Sequence, residues 1–67
     1  MNIAELKVEM IRNNFDRKKM SELLDLTPSS ITKKLKGEND FTRKDINKII
    51  KAFNLTPERT QEIFFAS

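Results

Sequence analysis

The sequence predicts an all-α domain of five helices, and three observations predict it. Signals for helix starts and helix ends recur in a fixed order along the chain, and apolar residues recur at helical spacing between them. No stretch of useful length alternates apolar and polar residues with period two, so strands are not expected. Together these patterns predict helices at approximately residues 2–13, 17–24, 28–36, 43–53 and 57–65.

Each predicted helix begins at a residue whose side-chain oxygen can accept the unpaired backbone N–H groups of the first turn. These N-cap residues are Asn2, Asp16, Thr27, Thr42 and Thr56. At the first four starts, the apolar residue before the cap can pack against another apolar residue five positions later. Glu5 and Asp45 stand where a capping box would place its acid, and Pro57 occupies a first helical position, where its missing donor costs nothing.

The predicted helix ends carry residues that tolerate the left-handed backbone conformation. Asn14, Asp25 and Asn54 are each followed by an apolar residue, and Gly37, the only glycine in the chain, follows the third helix. Between starts and ends, each of the first four helices has an inward apolar face. These faces are Ile3, Leu6 and Met10; Met20, Leu23 and Leu24; Ile31 and Leu35; and Ile46, Ile49, Ile50 and Phe53.

Length and composition exclude several classes of protein. The chain of 67 residues forms one domain, residues 1–67, near the lower size at which a hydrophobic core suffices. Cysteine and histidine are both absent, which removes disulfides, thiolate chemistry and the usual zinc ligands. With no phosphate-cradling glycine loop and no carboxylate pair suited to catalysis, we expect no enzyme, no metal, no cofactor and no small-molecule substrate. No signal peptide or membrane span is evident, so we expect no membrane partner and a cytoplasmic location.

The positive charge is concentrated in one third of the chain. Residues 17–36 hold six Lys or Arg residues against two acids, a local charge of +4, while the other segments sum to −1. Those cations are Arg17, Lys18, Lys19, Lys33, Lys34 and Lys36. A concentrated excess of this kind indicates a polyanionic partner better than the total of +3 does.

The second and third helices are joined by only Asp25, Leu26 and Thr27, which predicts a helix-turn-helix. The stretch "RKKMSELLDLTPSSITKKLKG", residues 17–37, resembles the helix-turn-helix of the lambda-repressor-like (Cro/repressor, Xre-type) family. The resemblance includes the small Ser21, the buried Ile31 and the closing "LKG", and it extends to the last two helices of small phage Cro-like regulators. It implies a compact five-helix lambda-repressor-like DNA-binding domain. One departure is Asp25, which stands where the family favours glycine.

With Ile31 and Leu35 directed inward, Ser29, Thr32, Lys33 and Lys36 fall on the opposite face of the third helix. The resemblance implies that this helix enters the major groove of double-stranded operator DNA, with base contacts from Pro28, Ser29, Thr32 and Lys33. Phosphate contacts are expected from seven residues that flank it. They are Arg17, Lys18, Lys19, Thr27, Lys36, Arg43 and Lys44.

The carboxy-terminal "IFFA" suggests an interface. Phe64 and Phe65 point about 100° apart on a helix, and a domain of this size can hardly bury both rings. One ring could dock inside while the other anchors a homodimer on DNA, although both could also pack within one chain. The resemblance implies that the protein is a phage or prophage Cro-like repressor, which would act in the cytoplasm of a bacterial host. The alternative is a modulator or antirepressor that uses the same fold to bind a larger phage repressor protein.

Overall fold

The computed structural model describes residues 1–65, which fold into helices joined by short turns. The helices are α1 (Ile3–Arg12), α2 (Arg17–Leu24), α3 (Pro28–Leu35), α4 (Arg43–Phe53) and α5 (Pro57–Thr60), and a π-helical turn, Gln61–Phe65, continues α5. The predicted all-α fold is confirmed, and residues 1–65 contain no strand. The fifth helix differs from prediction, because its second half widens into the π form. Every helix in this part of the chain is too short and too polar to span a lipid bilayer.

The predicted caps account for the helix boundaries. Each of the five N-cap side chains accepts a backbone N–H from its own first turn. Four residues at or beyond helix ends have positive φ: Asn14 at 57°, Asp25 at 56°, Asn54 at 51° and Gly37 at 83°. The capping box at Thr42 and Asp45 is confirmed. The one expected at Asn2 is wrong, because the Asn2 N–H donates to the Ile63 carbonyl at 2.6 Å and the Glu5 carboxylate pairs with Arg59.

A single core unites the helices. Its five largest fully buried side chains come one from each of α1 to α4 and one from the π-helical turn, namely Leu6, Met20, Ile31, Ile49 and Ile63. Phe15, in the turn between α1 and α2, packs edge-on against Phe53 of α4 with ring centroids 4.9 Å apart. Since α1 to α4 and the π-helical turn contribute to the same buried cluster, α3 is packed on the body of the domain.

An ionic cluster fastens the end of the chain to α1. The Arg59 guanidinium lies 2.7 Å from Glu5, 2.8 Å from Glu9 and 3.0 Å from Glu62. Hydrogen bonds from Arg59 to Glu9 and Glu5 raise the pKa of Arg59 above its ordinary value, so it stays charged. This cluster directs the two carboxylates of α1 toward α5.

Candidate nucleic-acid interface

A sharp turn between α2 and α3 sets the direction of α3. Asp25 adopts the left-handed conformation, with φ 56° and ψ 46°, and the Leu26 N–H donates to the Ser21 carbonyl at 3.0 Å. Thr27 then caps α3 by accepting the Ser30 N–H at 3.2 Å. The predicted three-residue link is confirmed, and two short helices joined in this way form a helix-turn-helix.

One side of α3 lies in the core and the other lies in solvent. Ile31 is fully buried and Leu35 is half-buried, whereas Pro28, Ser29 and Lys33 are exposed. Between residues 28 and 35 the exposed face carries a proline ring, hydroxyls and an ammonium group, and none of these residues is acidic. A helix with such a face fits the major groove of B-DNA without directing a carboxylate at a phosphate.

Thr32 lies at the edge of that face, and its hydroxyl already makes two hydrogen bonds. It donates to the Pro28 carbonyl at 3.0 Å and accepts from Arg17 Nη1 at 3.2 Å. The hydroxyl proton is therefore used within α3, and the Arg17 guanidinium is held beside the middle of that helix. This geometry suits Thr32 to positioning Arg17 better than to the base contact expected from the sequence.

The start of α2 presents Arg17 and Lys18 to solvent. Asp16 caps this helix by accepting the Lys19 N–H at 2.8 Å. One of the free backbone N–H groups of this helix start is thus used inside the protein. The exposed cationic side chains, more than the backbone, make this helix start attractive to a phosphate.

Lys19 is exposed, but its ammonium group makes contacts within the protein. Its Nζ donates to the Asn14 carbonyl at 3.0 Å and lies 5.9 Å from the centroid of the Phe15 ring. In this position the ammonium group compensates the partial negative charge at the carboxyl end of α1. Lys19 is accordingly the weakest member of the predicted phosphate set.

The other predicted phosphate contacts are all exposed, and they lie on both sides of α3 in the chain. They are Thr27, Lys36, Arg43 and Lys44. Thr27 precedes α3 and Lys36 closes it, while Arg43 and Lys44 form the first turn of α4. Exposed cations of this kind suit contacts to phosphate, which set the register and orientation of a protein on DNA.

Lys34 is the one cation within residues 17–36 that is buried. Its Nζ lies 3.3 Å from Asp45 Oδ2, donates to the Asp40 carbonyl at 2.7 Å and lies 5.6 Å from the centroid of the Phe41 ring. It connects α3 to the loop before α4 and to the first turn of α4. Because its charge is neutralised inside the protein, five cations remain against two acids, and the local excess is +3 instead of the +4 counted from the sequence.

The Lys34 partner, Asp45, is held in its charged form. Burial favours protonation of Asp45, but hydrogen bonds with Thr42 and the contact with Lys34 outweigh burial and lower its pKa below the ordinary value. A signal for this pair was present in the sequence. Lys34 stands three residues after Ile31, at the margin of the buried face of α3, and Asp45 stands at a capping-box position.

The two terminal phenylalanines differ in exposure. Phe64 is 7% exposed and belongs to the core, while Phe65 is 59% exposed. Phe65 borders a depression of about 420 Å³ that Ile46 and Ile50 of α4 also line. The sequence predicted that one ring could dock inside while the other anchors a homodimer; Phe64 is the ring that docks inside, and Phe65 is the ring left exposed.

These features define the class of protein. It is an all-α helix-turn-helix domain that presents a basic, acid-free face on the second helix of its motif. Residues 5–58 match the family model of the Cro/C1-type HTH DNA-binding domain, so the chain belongs to that family and is a DNA-binding regulator. No curated protein sequence and no solved structure gave a significant match.

Proposed function

We propose that this protein is a sequence-specific repressor of the small phage or prophage Cro type, which inserts α3 into the major groove of operator DNA and excludes RNA polymerase. The observation that carries the proposal is the joint exposure of Ser29 and Lys33. Residues four apart share one side of a helix, so both side chains extend in the same direction. Lys33 can donate to guanine O6 or N7, and Ser29 can donate or accept.

Phosphate contacts would hold α3 in register. Arg17 is already positioned by Thr32 at 3.2 Å, and Lys18, Lys36, Arg43 and Lys44 are exposed around the same helix. Each phosphate that these residues neutralise contributes about −0.9 to the slope of log affinity against log salt. The affinity should therefore fall steeply as salt rises.

A homodimer on DNA would double this surface. The exposed Phe65, with Ile46 and Ile50 beside it, supplies an apolar patch at the carboxy-terminal end of the described chain. A twofold axis through that patch would present two copies of α3 to half-sites about 34 Å apart. The operator would then be nearly palindromic.

The test is titration of the isolated protein against DNA from its own promoter region at several salt concentrations, with scrambled DNA of equal length as control. Selective binding with a steep salt dependence supports the proposal. Equal binding to both DNAs contradicts sequence-specific recognition, and no binding to either contradicts the proposal as a whole.

The alternative, a modulator that binds a larger phage repressor protein, is favoured by one observation. Ile11 is 76% exposed and Phe65 is 59% exposed, a large apolar exposure for so small a domain. The alternative gains support only if a repressor from the same phage or host forms a stable complex with the isolated protein while promoter DNA does not bind.

A further inference from the structure

A cleft of about 450 Å³ opens between α1 and α3, next to the DNA-facing side of the domain. Its apolar lining comes from Met10, Ile11, Phe15 and Leu35. Its charged lining is entirely cationic among the described residues and consists of Lys7, Arg17 and Lys36. The cleft thus combines a positive rim with an apolar floor, which is the solvent-facing margin of the core at Met10, Phe15 and Leu35 extended by the exposed Ile11.

The sidedness of α1 produces this charge pattern. Glu5 and Glu9 are drawn to Arg59 on the α5 side, at 2.7 and 2.8 Å. Lys7 and Ile11, four residues apart, share the side that lines the cleft. The two carboxylates of α1 therefore lie on the side of the helix away from the cleft, in ion pairs with Arg59, and the cleft stays positive.

We propose that this cleft, the α1–α3 cleft, is the docking site of an acidic amphipathic segment of another protein. An apolar side chain of the segment would enter between α1 and α3, and its carboxylates would pair with Lys7, Arg17 and Lys36. A helix that lays its apolar face into a groove is a common form of peptide recognition.

Two observations favour a protein segment over other occupants. The cleft is open to solvent and continues into an exposed apolar strip on α1, where Val8 is 36% and Ile11 is 76% exposed. A strip of that kind extends the contact beyond what a small ligand needs. A twofold contact of the cleft with the same cleft of a second copy is disfavoured by charge, because it would bring two cationic rims together.

Docking in the α1–α3 cleft would interfere with DNA binding, and this consequence rests on the proposed function. Arg17 and Lys36 line the cleft and also belong to the phosphate-contact set. A carboxylate that pairs with either of them removes a phosphate contact and places negative charge beside α3. The partner would act as a negative regulator of operator occupancy.

The direct experiment measures fluorescence anisotropy of a labelled helical peptide of about 15 residues, with Leu at helical spacing and Glu at the flanking positions. A matched peptide carries Lys in place of Glu. We expect the acidic peptide to bind and the basic one not to bind. Ile11→Glu and Lys7→Glu should each weaken binding about tenfold. Both side chains are exposed in the folded protein, so circular dichroism should show unchanged helicity.

Lys51→Glu is the matched control, because Lys51 is exposed on α4, outside the cleft lining, and its replacement changes the net charge by the same amount as Lys7→Glu. It should alter peptide binding by about twofold or less. Absence of acidic-peptide binding overturns the proposal, as do equal effects of Lys7→Glu and Lys51→Glu. Binding of laurate in place of the peptide would assign the cleft to a small amphiphile and would overturn the proposal. A self-association that Ile11→Glu abolishes would assign the cleft to a second copy of the chain and would overturn the proposal as well.

A competition experiment separates this inference from the proposed function. Saturating acidic peptide should raise the apparent Kd for promoter DNA, and Ile11→Glu should remove that effect. If DNA does not bind even without peptide, the proposed function fails, while the direct peptide measurement still decides the docking site. If DNA binds and the peptide does not, the docking site fails alone.

Discussion

Lys34 of α3 and Asp45 of α4 form an ion pair, with 3.3 Å between Nζ and Oδ2 and side chains that are only 11% and 9% exposed. The preceding residue, Lys33, is exposed. Two consecutive lysines thus have different roles in one helix. Lys34 fixes α3 to the body of the domain, and Lys33 is available to a partner.

Exchanging these two lysines for alanine should separate stability from DNA recognition. Lys34→Ala leaves Asp45 without its cation and should lower the free energy of unfolding by about 2 to 4 kcal/mol. Lys33→Ala should change it by about 0.5 kcal/mol or less, yet weaken specific DNA binding by about 1 to 3 kcal/mol and relax one base position. Urea denaturation and footprinting measure the two effects. An unchanged footprint for Lys33→Ala would remove Lys33 from the reading role.

The same ion pair predicts an acid dependence of stability. The pKa of Asp45 is lower in the folded protein than its ordinary value of 3.8, so its stabilising contribution is complete above about pH 4 and is lost as the pH falls through the folded value. Asp45→Asn should reduce the free energy of unfolding at neutral pH and make its decrease below pH 4 less steep. Lys34→Gln should flatten it less, because the hydrogen bonds with Thr42 remain. A decline equally steep in Asp45→Asn and the wild type would assign the acid sensitivity to other groups.

The left-handed turn at Asp25 predicts a stabilising substitution. A non-glycine residue at φ 56° carries a conformational cost, so Asp25→Gly should raise the free energy of unfolding by about 0.5 to 1 kcal/mol. Glu22→Gly, at an exposed helical position in α2, is the matched control and should lower it by about 1 kcal/mol. Thermal unfolding monitored by circular dichroism compares the two. A lower midpoint for Asp25→Gly would show that the Asp25 side chain contributes more than its backbone strain costs.

Thr32→Val tests whether Thr32 positions Arg17 or reads a base. Valine keeps the shape but removes the hydroxyl that accepts from Arg17 at 3.2 Å. If Thr32 acts through Arg17, Thr32→Val and Arg17→Gln should each weaken binding to operator DNA and to scrambled DNA by the same factor. Each should also make the slope of log affinity against log salt shallower by about 0.9. Electrophoretic mobility shifts over a salt series measure this. A loss confined to one base position would restore the base contact expected from the sequence.

Truncation of the adjacent Phe64 and Phe65 should affect different properties, stability for Phe64 and dimer formation for Phe65. Phe64→Ala opens a cavity in the core and should cost about 3 kcal/mol or more of stability. Phe65→Ser removes a largely exposed ring and should leave stability nearly unchanged while reducing dimer formation on DNA. Sedimentation with and without operator DNA, together with urea denaturation, distinguishes the two variants. A dimer that survives Phe65→Ser would place the interface elsewhere.

The sequence was sufficient for the fold because the determinants of these helices are local. The caps at Asp16, Thr27, Thr42 and Thr56 and the left-handed Asp25 act within a few residues, so each boundary could be assigned from a short window. The exposed face of α3 followed from the same local periodicity.

Contacts between distant residues could not be assigned in this way. Arg59 reaches Glu9 across 50 positions, and no periodic pattern pairs those two residues. The same is true of Lys19, whose ammonium turns back to Asn14, and of Thr32, whose hydroxyl is occupied by Arg17. The number of cations in residues 17–36 could be read from the sequence, but which of them the protein uses internally depends on how the helices cross.

The hydrogen bond from the Asn2 N–H to the Ile63 carbonyl makes α1 and the π-helical turn two sides of one seam. During synthesis that seam cannot close until Ile63 has been made, whereas α2 and α3, which are neighbours in sequence, can pair much earlier. All residues of the helix-turn-helix therefore precede, in the order of synthesis, the residue that closes the seam at α1. A destabilising substitution in the π-helical turn should therefore make α1, which is distant in sequence, fray more readily and be proteolysed faster.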